Sequence, residues 1–195
     1  MFSLRSPSLE EFASQLAKAQ ALDFSYDAPF NSEMGLTHIQ VPTGFVLDHT
    51  RSIIGRGTVD FDAAKQALRA WKHFDLGWVE VLNRDSKLKV GEVVAVKAHA
   101  LGLWSVNFSR ILYVIDEPDR FGYGYGTTPM HVERGEERFL LEYDPDRETV
   151  SYDLLAVSQP AHWLAKLVNP YTRMRQRMFA SESHRCMRVQ SKPNN

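Results

Sequence analysis

The chain has 195 residues, of which 44% are hydrophobic and 24% are charged, and its net charge is about -1. This composition predicts a globular protein with one core and excludes binding to nucleic acid or membrane through bulk charge. One cysteine, Cys186, excludes an internal disulfide and favours a reducing compartment, and no apolar run approaches the roughly 18 residues that span a bilayer. We therefore expect a cytoplasmic protein.

The N-terminal segment predicts a helix followed by a long loop. Ser8 and Glu11 form a capping-box pattern, and apolar residues at helical spacing predict a helix over 9–22. Residues 24–44 have no sustained period, so we expect an ordered loop with a short strand near 37–41.

The next segment predicts a strand and a second helix. Residues 45–54 are rich in β-branched and aromatic side chains and end at a turn, Gly55 to Gly57. Asp60 is then expected to cap a helix whose apolar face carries Phe61, Ala64, Leu68 and Trp71.

From residue 77 to residue 157 the pattern is that of strands separated by turns. The predicted strands are 78–82, 92–99, 104–115, 122–128, 137–143 and 149–157. Strands that follow one another through short turns predict an antiparallel meander.

Arg110 is a charged residue on an otherwise apolar face of the predicted 104–115 strand. Alternation places it with Trp104, Val106 and Phe108, and a guanidinium on an apolar face needs a partner. One interpretation is an ion pair with Glu136, Glu137 or Glu142, and the other is contact with a ligand.

Residues 121–126 alternate aromatic residues with glycines. Tyr123 and Tyr125 share one side of the predicted strand, where they line either a packed core or a cavity. The glycines share the other side, which suggests close approach by another backbone, a helix or a ligand.

His131 and Glu136 lie in a charged segment with three interpretations. The His-x-Glu-x-x-Glu spacing could supply metal ligands, but Gly135 favours a loop and no second histidine or cysteine lies nearby. His131 paired with Glu136 could act as a general base. The third interpretation is a surface turn whose glutamates pair with arginines.

The C-terminal region predicts a helix with a basic face. Residues 161–168 are expected to be helical, and Asn169-Pro170 either kinks that helix or starts a new one. From residue 166 to residue 192 there are seven basic residues and one acidic residue. This face is interpreted as solvated, with an anionic membrane surface contacted through Arg173, Arg175 and Arg177 as the alternative.

Several spaced motifs occur in a fixed order: Thr37 before Pro42-Thr-Gly44, Gly55-x-Gly57-x-x-x-Phe61-x-x-Ala64-x-x-x-Leu68-x-x-Trp71, Tyr125-Gly-Thr-Thr-Pro-Met-His131, Gly135-Glu-Glu-Arg-Phe139, Ser158-Gln-Pro160 and Pro170. This order resembles the domain-of-unknown-function family nineteen-ninety, which is grouped with the START-like superfamily. Thr128, Met130 and Val132 depart from the family's usual Tyr-Gly-Thr-Leu-Pro-Gly-His-Pro run. The resemblance implies a helix-grip fold with an apolar cavity and no particular activity.

The predicted fold class is therefore α+β, with a curved antiparallel sheet wrapped around a long C-terminal helix and an N-terminal helix added. The predicted single domain comprises an N-terminal extension over 1–24, a START-like body over 25–180 and a flexible basic tail over 181–195. We expect no cofactor, no metal and no nucleic acid.

The predicted function is binding of a hydrophobic or aromatic small molecule or lipid between the sheet and the C-terminal helix. The expected ligand-binding residues are Trp71, Trp104, Asn107, Arg110, Tyr123 and Tyr125. The alternatives are an enzyme that uses His131 and Glu136 in the same cavity, and a membrane-associated or scaffold protein that acts through the basic helix.

Overall fold

The computed structural model describes residues 2–27, 29–161 and 169–192. Within them, eight antiparallel strands form one sheet: β1 (Phe2–Ser3), β2 (Val46–Arg56), β3 (Val79–Val81), β4 (Val93–Ala100), β5 (Leu103–Asp116), β6 (Arg120–Thr127), β7 (Glu133–Asp144) and β8 (Thr149–Pro160). The helices are α1 (Leu9–Gln20), α2 (Gly57–Arg69) and α3 (Asn169–Gln190). Short 3-10 turns lie at Ser32–Met34 and Lys72–Phe74.

The strand order is β2-β8-β7-β6-β5-β4-β3, and β1 pairs with β5. Strands β3 to β8 follow one another as neighbours, so the predicted meander is confirmed, whereas β2 pairs with the last strand, β8. The chain must therefore cross from one edge of the sheet to the other between β2 and β3. Helix α2 forms part of this crossing.

The main core lies on one face of the sheet, here called the concave face, beneath α2 and α3. Alternation along β6 to β8 turns Tyr123, Phe139, Leu141 and Tyr152 towards the helices, where they are fully buried. Trp71, which follows α2, packs edge-on against Tyr123 at 5.3 Å. This sheet and helix arrangement confirms the predicted α+β helix-grip fold.

Helix α2 begins earlier than the sequence predicts. It starts at Gly57, so Asp60 is inside the helix and does not cap it. The Asp60 carboxylate instead accepts the backbone N–H of Arg56 at 2.8 Å and pairs with Lys192 at 2.5 Å. The side chain thus joins the start of α2 to the residues after α3.

Helix α3 is fixed to the sheet by polar side chains along its C-terminal half. His184 hydrogen-bonds to Thr50 at 2.9 Å and Ser52 at 2.8 Å, and Ser183 shares a 3.0 Å hydrogen bond with Tyr152. The helix continues to Gln190 and buries Met187 completely, so the prediction of a flexible tail from residue 181 is wrong. The predicted helix over 161–168 falls almost entirely outside the described residues.

The opposite, convex face is covered by α1 and by the loop over 22–45. Ala19 of α1 packs against Val93, Ala95, Val106 and Phe108. In the loop, the predicted strand near 37–41 does not form. Phe30 packs against Leu155 and Val157 of β8. The loop therefore contacts the sheet at this point through a side chain.

Buried charges also fix the loop to the convex face. The Glu136 carboxylate accepts the Phe30 N–H at 2.7 Å and the Ser32 hydroxyl at 2.5 Å. Arg138 donates to the Ser32 carbonyl at 2.9 Å and to Asp153 at 2.8 Å. Burying a charge is costly unless hydrogen bonds or an opposite charge compensate for it. Neutral donors surround Glu136, and Asp153 pairs with Arg138.

The glycines of β6 make room for this covering. A Cβ on Gly124 would overlap the Tyr113 ring, and a Cβ on Gly126 would overlap the Tyr26 hydroxyl and the Phe24 ring. The close approach predicted from the glycine alternation therefore comes from aromatic side chains of β5 and the loop at Gly124 and Gly126, and from the backbone of β7 at Gly122.

Candidate functional site on the concave face

Strand β7 places two carboxylates on the same face as the core. Glu133 and Glu137 alternate in step with Phe139, which is fully buried under the helices. Around them lie side chains from β2, β6 and α3. We name this group the concave polar cluster, and it comprises Asp48, Tyr125, Glu133, Glu137, Arg173 and Gln176.

Glu137 is the most perturbed carboxyl of the cluster. Burial, together with the negative charges of Glu133 and Asp48, raises the pKa of Glu137 to about 7, against the lowering effect of a hydrogen bond from Tyr125. The Tyr125 hydroxyl donates that bond at 2.5 Å. A carboxyl that titrates near neutrality can donate as well as accept a proton or a hydrogen bond.

Glu133 is held by the N-terminal half of α3. The Gln176 amide donates to its Oε1 at 2.7 Å and to the Ser158 hydroxyl at 3.2 Å. Burial raises the pKa of Glu133, while its hydrogen bonds and the Arg173 charge act in the opposite direction. Gln176 therefore connects the helix to both β7 and β8.

Arg173 is already neutralised by Asp48. Its two terminal nitrogens lie 2.5 and 2.8 Å from the two carboxylate oxygens of Asp48 on β2. Such bidentate pairs are among the stronger side-chain interactions, because both charges and geometry match. Among the described residues, no cation bonds to the other two acidic groups of the concave polar cluster, Glu133 and Glu137.

The predicted ligand-binding residues divide between the two faces. Trp71 and Tyr123 are on the concave face but are fully buried in the packed core, where Tyr123 shares a 2.7 Å hydrogen bond with His73. Tyr125 belongs to the concave polar cluster. Asn107 holds the turn before β7, since its side-chain oxygen accepts the Val132 N–H at 3.2 Å.

Trp104 lies on the convex side of the sheet. Its ring stacks on His99 at 4.2 Å, and the Lys97 ammonium lies 5.1 Å from its centroid. With Trp78 it lines a surface pocket of about 260 Å³ near the edge strand β3. The structure therefore does not bring Trp104 together with Tyr125.

Arg110 also lies on the convex side, where it binds the C-terminal end of α1. Its guanidinium donates to the carbonyl oxygens of Gln20 at 3.0 Å, Leu22 at 2.7 Å and Gly91 at 2.7 Å. The predicted ion pair with a glutamate is wrong. A cation at a helix C-terminus satisfies carbonyls that have no partner within the helix.

His131 and Glu136 do not form the predicted acid–base pair. Nδ1 of His131 accepts the Glu133 N–H at 3.0 Å, and burial lowers the pKa of His131 to about 4. Glu136 points to the convex face, where its carboxylate binds Tyr26, Phe30 and Ser32. Their side chains are therefore engaged in separate contacts.

The arginines predicted to contact a membrane surface have different surroundings. Besides the pairing of Arg173, the Arg175 guanidinium stacks 3.6 Å from the Trp78 ring centroid. Arg177 is exposed. None of the described helices is long and apolar enough to cross a membrane. In the described ranges, no three His, Cys, Asp or Glu side chains group as metal ligands.

Glu133, Glu137 and Asp48 were not predicted from the sequence as ligand-binding residues, although Glu133 was considered as a metal ligand. The available signal was the alternation in β7, which places Glu133 and Glu137 in step with Phe139 and Leu141. The same argument drew attention to Arg110. Asp48 carried no such signal, because its partner Arg173 is 125 positions away.

A family model described as "Domain of unknown function (DUF1990)" matches residues 31–186. The chain belongs to this family. A UPF0548 protein from Dictyostelium discoideum is 33% identical over 94% of this chain and 92% of its own length. The family match includes every residue of the concave polar cluster.

Two solved structures share the fold. The protein TTHA0849 from Thermus thermophilus has a TM-score of 0.51 at 10% identity, covering 75% of this chain and 97% of its own. The hypothetical protein jhp0584 from Helicobacter pylori has a TM-score of 0.50 at 12% identity, covering 76% and 88%. At these identities the likeness concerns the fold alone.

Proposed function

We propose that this DUF1990 protein binds an amphipathic small molecule or lipid between the concave face of the sheet and the N-terminal half of α3. Ligand sites are mostly apolar and contain a few polar groups that orient the ligand. The concave polar cluster supplies such groups beside apolar side chains of the same face, such as Phe139 and Leu154. The helix-grip arrangement supplies the concave wall.

The observation that carries this proposal is the environment of Glu137. Protein surrounds its carboxyl closely enough to raise its pKa to about 7, yet the side chain keeps accessible surface. Glu133 combines the same two properties. A group in a filled core would lose its accessible surface, and a group on an open surface would keep its ordinary pKa. Both properties together favour a recess.

Substitution of Ala156 with a larger residue would fill this recess. Ala156 pairs with Glu137 across β7 and β8, so the two side chains project from the same face, and Ala156 is partly accessible. A phenyl group at this position would occupy the space beside Glu137. The ligand's apolar part would lose that space.

The test measures binding of N-phenyl-1-naphthylamine, an uncharged apolar probe whose fluorescence rises in an apolar site. We expect saturable binding to the wild type and a loss of about tenfold in affinity, or about 1.4 kcal/mol, for Ala156→Phe. Ala13→Phe is the matched control, because Ala13 is exposed on α1. Equal binding by both variants would contradict the proposed location, and no saturable binding by the wild type would contradict the function.

Native mass spectrometry of the purified protein provides an independent test. A retained small molecule should give a mass above that of the chain, and the Ala156→Phe variant should retain less of it. Thermal unfolding of both variants must show a cooperative transition, so that reduced binding reflects a filled recess and not a misfolded protein.

A further inference from the structure

The charges of the concave polar cluster restrict the ligand's polar group, and this argument rests on the proposed function. Three carboxylates and one arginine compose the ionisable part of the cluster besides Tyr125. Arg173 and Asp48 neutralise each other through two hydrogen bonds. The charge that remains belongs to Glu133 and Glu137 and is negative.

The hydrogen bonds that described side chains make to these two carboxyls come from neutral groups. Tyr125 donates to Glu137, and Gln176 donates to Glu133. Neutral donors stabilise a carboxylate without cancelling its charge. A cation beside it therefore gains more here than in water, because charge interactions strengthen as the surroundings exclude solvent.

An anionic group meets the opposite situation. It would approach two acidic side chains, and the nearby guanidinium would have to leave Asp48 in order to bind it. Like charges in a shielded site are costly to bring together, and breaking the Arg173–Asp48 pair would leave Asp48 without its cation. An uncharged group such as a hydroxyl is neither attracted by the two carboxylates, as a cation is, nor repelled by them, as an anion is.

We infer that the recess selects amphipathic molecules whose polar group is a cation, such as an amine, over molecules of the same shape that carry a carboxylate. The amine lies between Glu133 and Glu137, and the apolar part lies along the sheet beside Ala156. Selection depends on the two glutamates and on the pairing of Arg173.

The experiment compares dodecylamine, dodecanol and dodecanoate, which share one hydrocarbon chain and differ in charge. Each displaces N-phenyl-1-naphthylamine from the full chain at pH 7.5, at concentrations below micelle formation. We expect the amine to bind about tenfold or more tightly than the carboxylate, with the alcohol between them. Equal affinity, or tighter binding of dodecanoate, would overturn the inference and leave the proposed function intact. If neither the probe nor any of the three molecules binds, the proposed function fails.

Two substitutions change the charge of the recess in opposite directions. Glu137→Gln keeps the shape and the Tyr125 contact, and it should reduce the preference for the amine several-fold with little effect on the alcohol. Asp48→Asn frees the Arg173 guanidinium and should increase the affinity for dodecanoate. Glu117→Gln is the control, because Glu117 is an exposed residue in the turn between β5 and β6.

The opposite signs separate electrostatics from general damage. A variant that is merely misfolded would bind all three molecules less well, so thermal unfolding is measured on every variant. If Asp48→Asn leaves dodecanoate binding unchanged while the fold is intact, Arg173 does not control the selection and the inference is overturned.

Discussion

Replacing Glu137 with glutamine should change the pH dependence of stability. Burial raises the pKa of Glu137 from an ordinary value of 4.5 to about 7. The folded protein therefore holds this proton more tightly than the unfolded chain. The stabilisation is complete below pH 4.5 and is lost as the pH rises through about 7.

The magnitude follows from the two pKa values. At about 1.4 kcal/mol per pKa unit, the wild type should lose about 2.5 kcal/mol of unfolding free energy from this group between pH 5 and pH 8. Glutamine does not titrate, and its carbonyl oxygen can still accept the Tyr125 hydroxyl. The unfolding free energy of Glu137→Gln should therefore depend less on pH. Between pH 5 and pH 8 the variant should lose less stability than the wild type does.

Urea unfolding followed by tryptophan fluorescence at pH 5, 6, 7 and 8 measures this difference. Glu117→Gln, which changes an exposed glutamate, should follow the wild-type profile. If the wild type and Glu137→Gln lose stability in parallel, within about 0.5 kcal/mol, Glu137 titrates normally in the folded protein. The recess beside Ala156 would then lose its main support.

Three further predictions concern residues of the fold outside the concave polar cluster. Burial lowers the pKa of His73 to about 3, so stability should fall by about 2.3 kcal/mol between pH 6.5 and pH 4.5, where the unfolded chain takes up a proton and the folded protein does not. Urea titrations of His73→Phe should show this acid loss reduced, and an unchanged loss would assign it to other groups. Gly124→Ala should cost about 1–3 kcal/mol because its Cβ would overlap Tyr113, and a double-mutant cycle with Tyr113→Ala should show strong coupling between the two positions. Arg138→Gln should cost about 3–5 kcal/mol by removing the buried cation beside Asp153, which would keep only the half-exposed Arg51 at 3.7 Å and the His49 ring. Arg147→Gln, at an exposed pair, should cost less than about 1 kcal/mol, and equal losses in chemical unfolding would contradict this assignment.

Much of the sheet could be predicted from local pattern. In β5 and β8, alternation and turn residues located the strands to within a few residues, because strand period and turn chemistry are local properties. The covering of the convex face could not be predicted in the same way. Its contacts, such as that between Ser32 and Glu136, join residues 104 positions apart.

The candidate site was predicted in part. Tyr125 was identified because aromatic residues alternate with glycines, but its partner Glu137 was considered only as an ion-pair residue. Arg110 and Trp104 were assigned to the ligand site because a strand's pattern separates two faces without saying which one is concave. That choice depends on where α1 and α3 pack, which is a tertiary property.

The loop over 22–45 also bears on where this fold begins. The family match starts at residue 31. However, the Tyr26 hydroxyl binds Glu136 and the Phe30 N–H binds the same carboxylate, so both contacts lie before that boundary. A chain shortened to the matched region would leave the Glu136 carboxylate with two fewer donors and would uncover Gly126 of β6. We therefore expect a chain that keeps Tyr26 and Phe30 to be more stable than one that begins at residue 31.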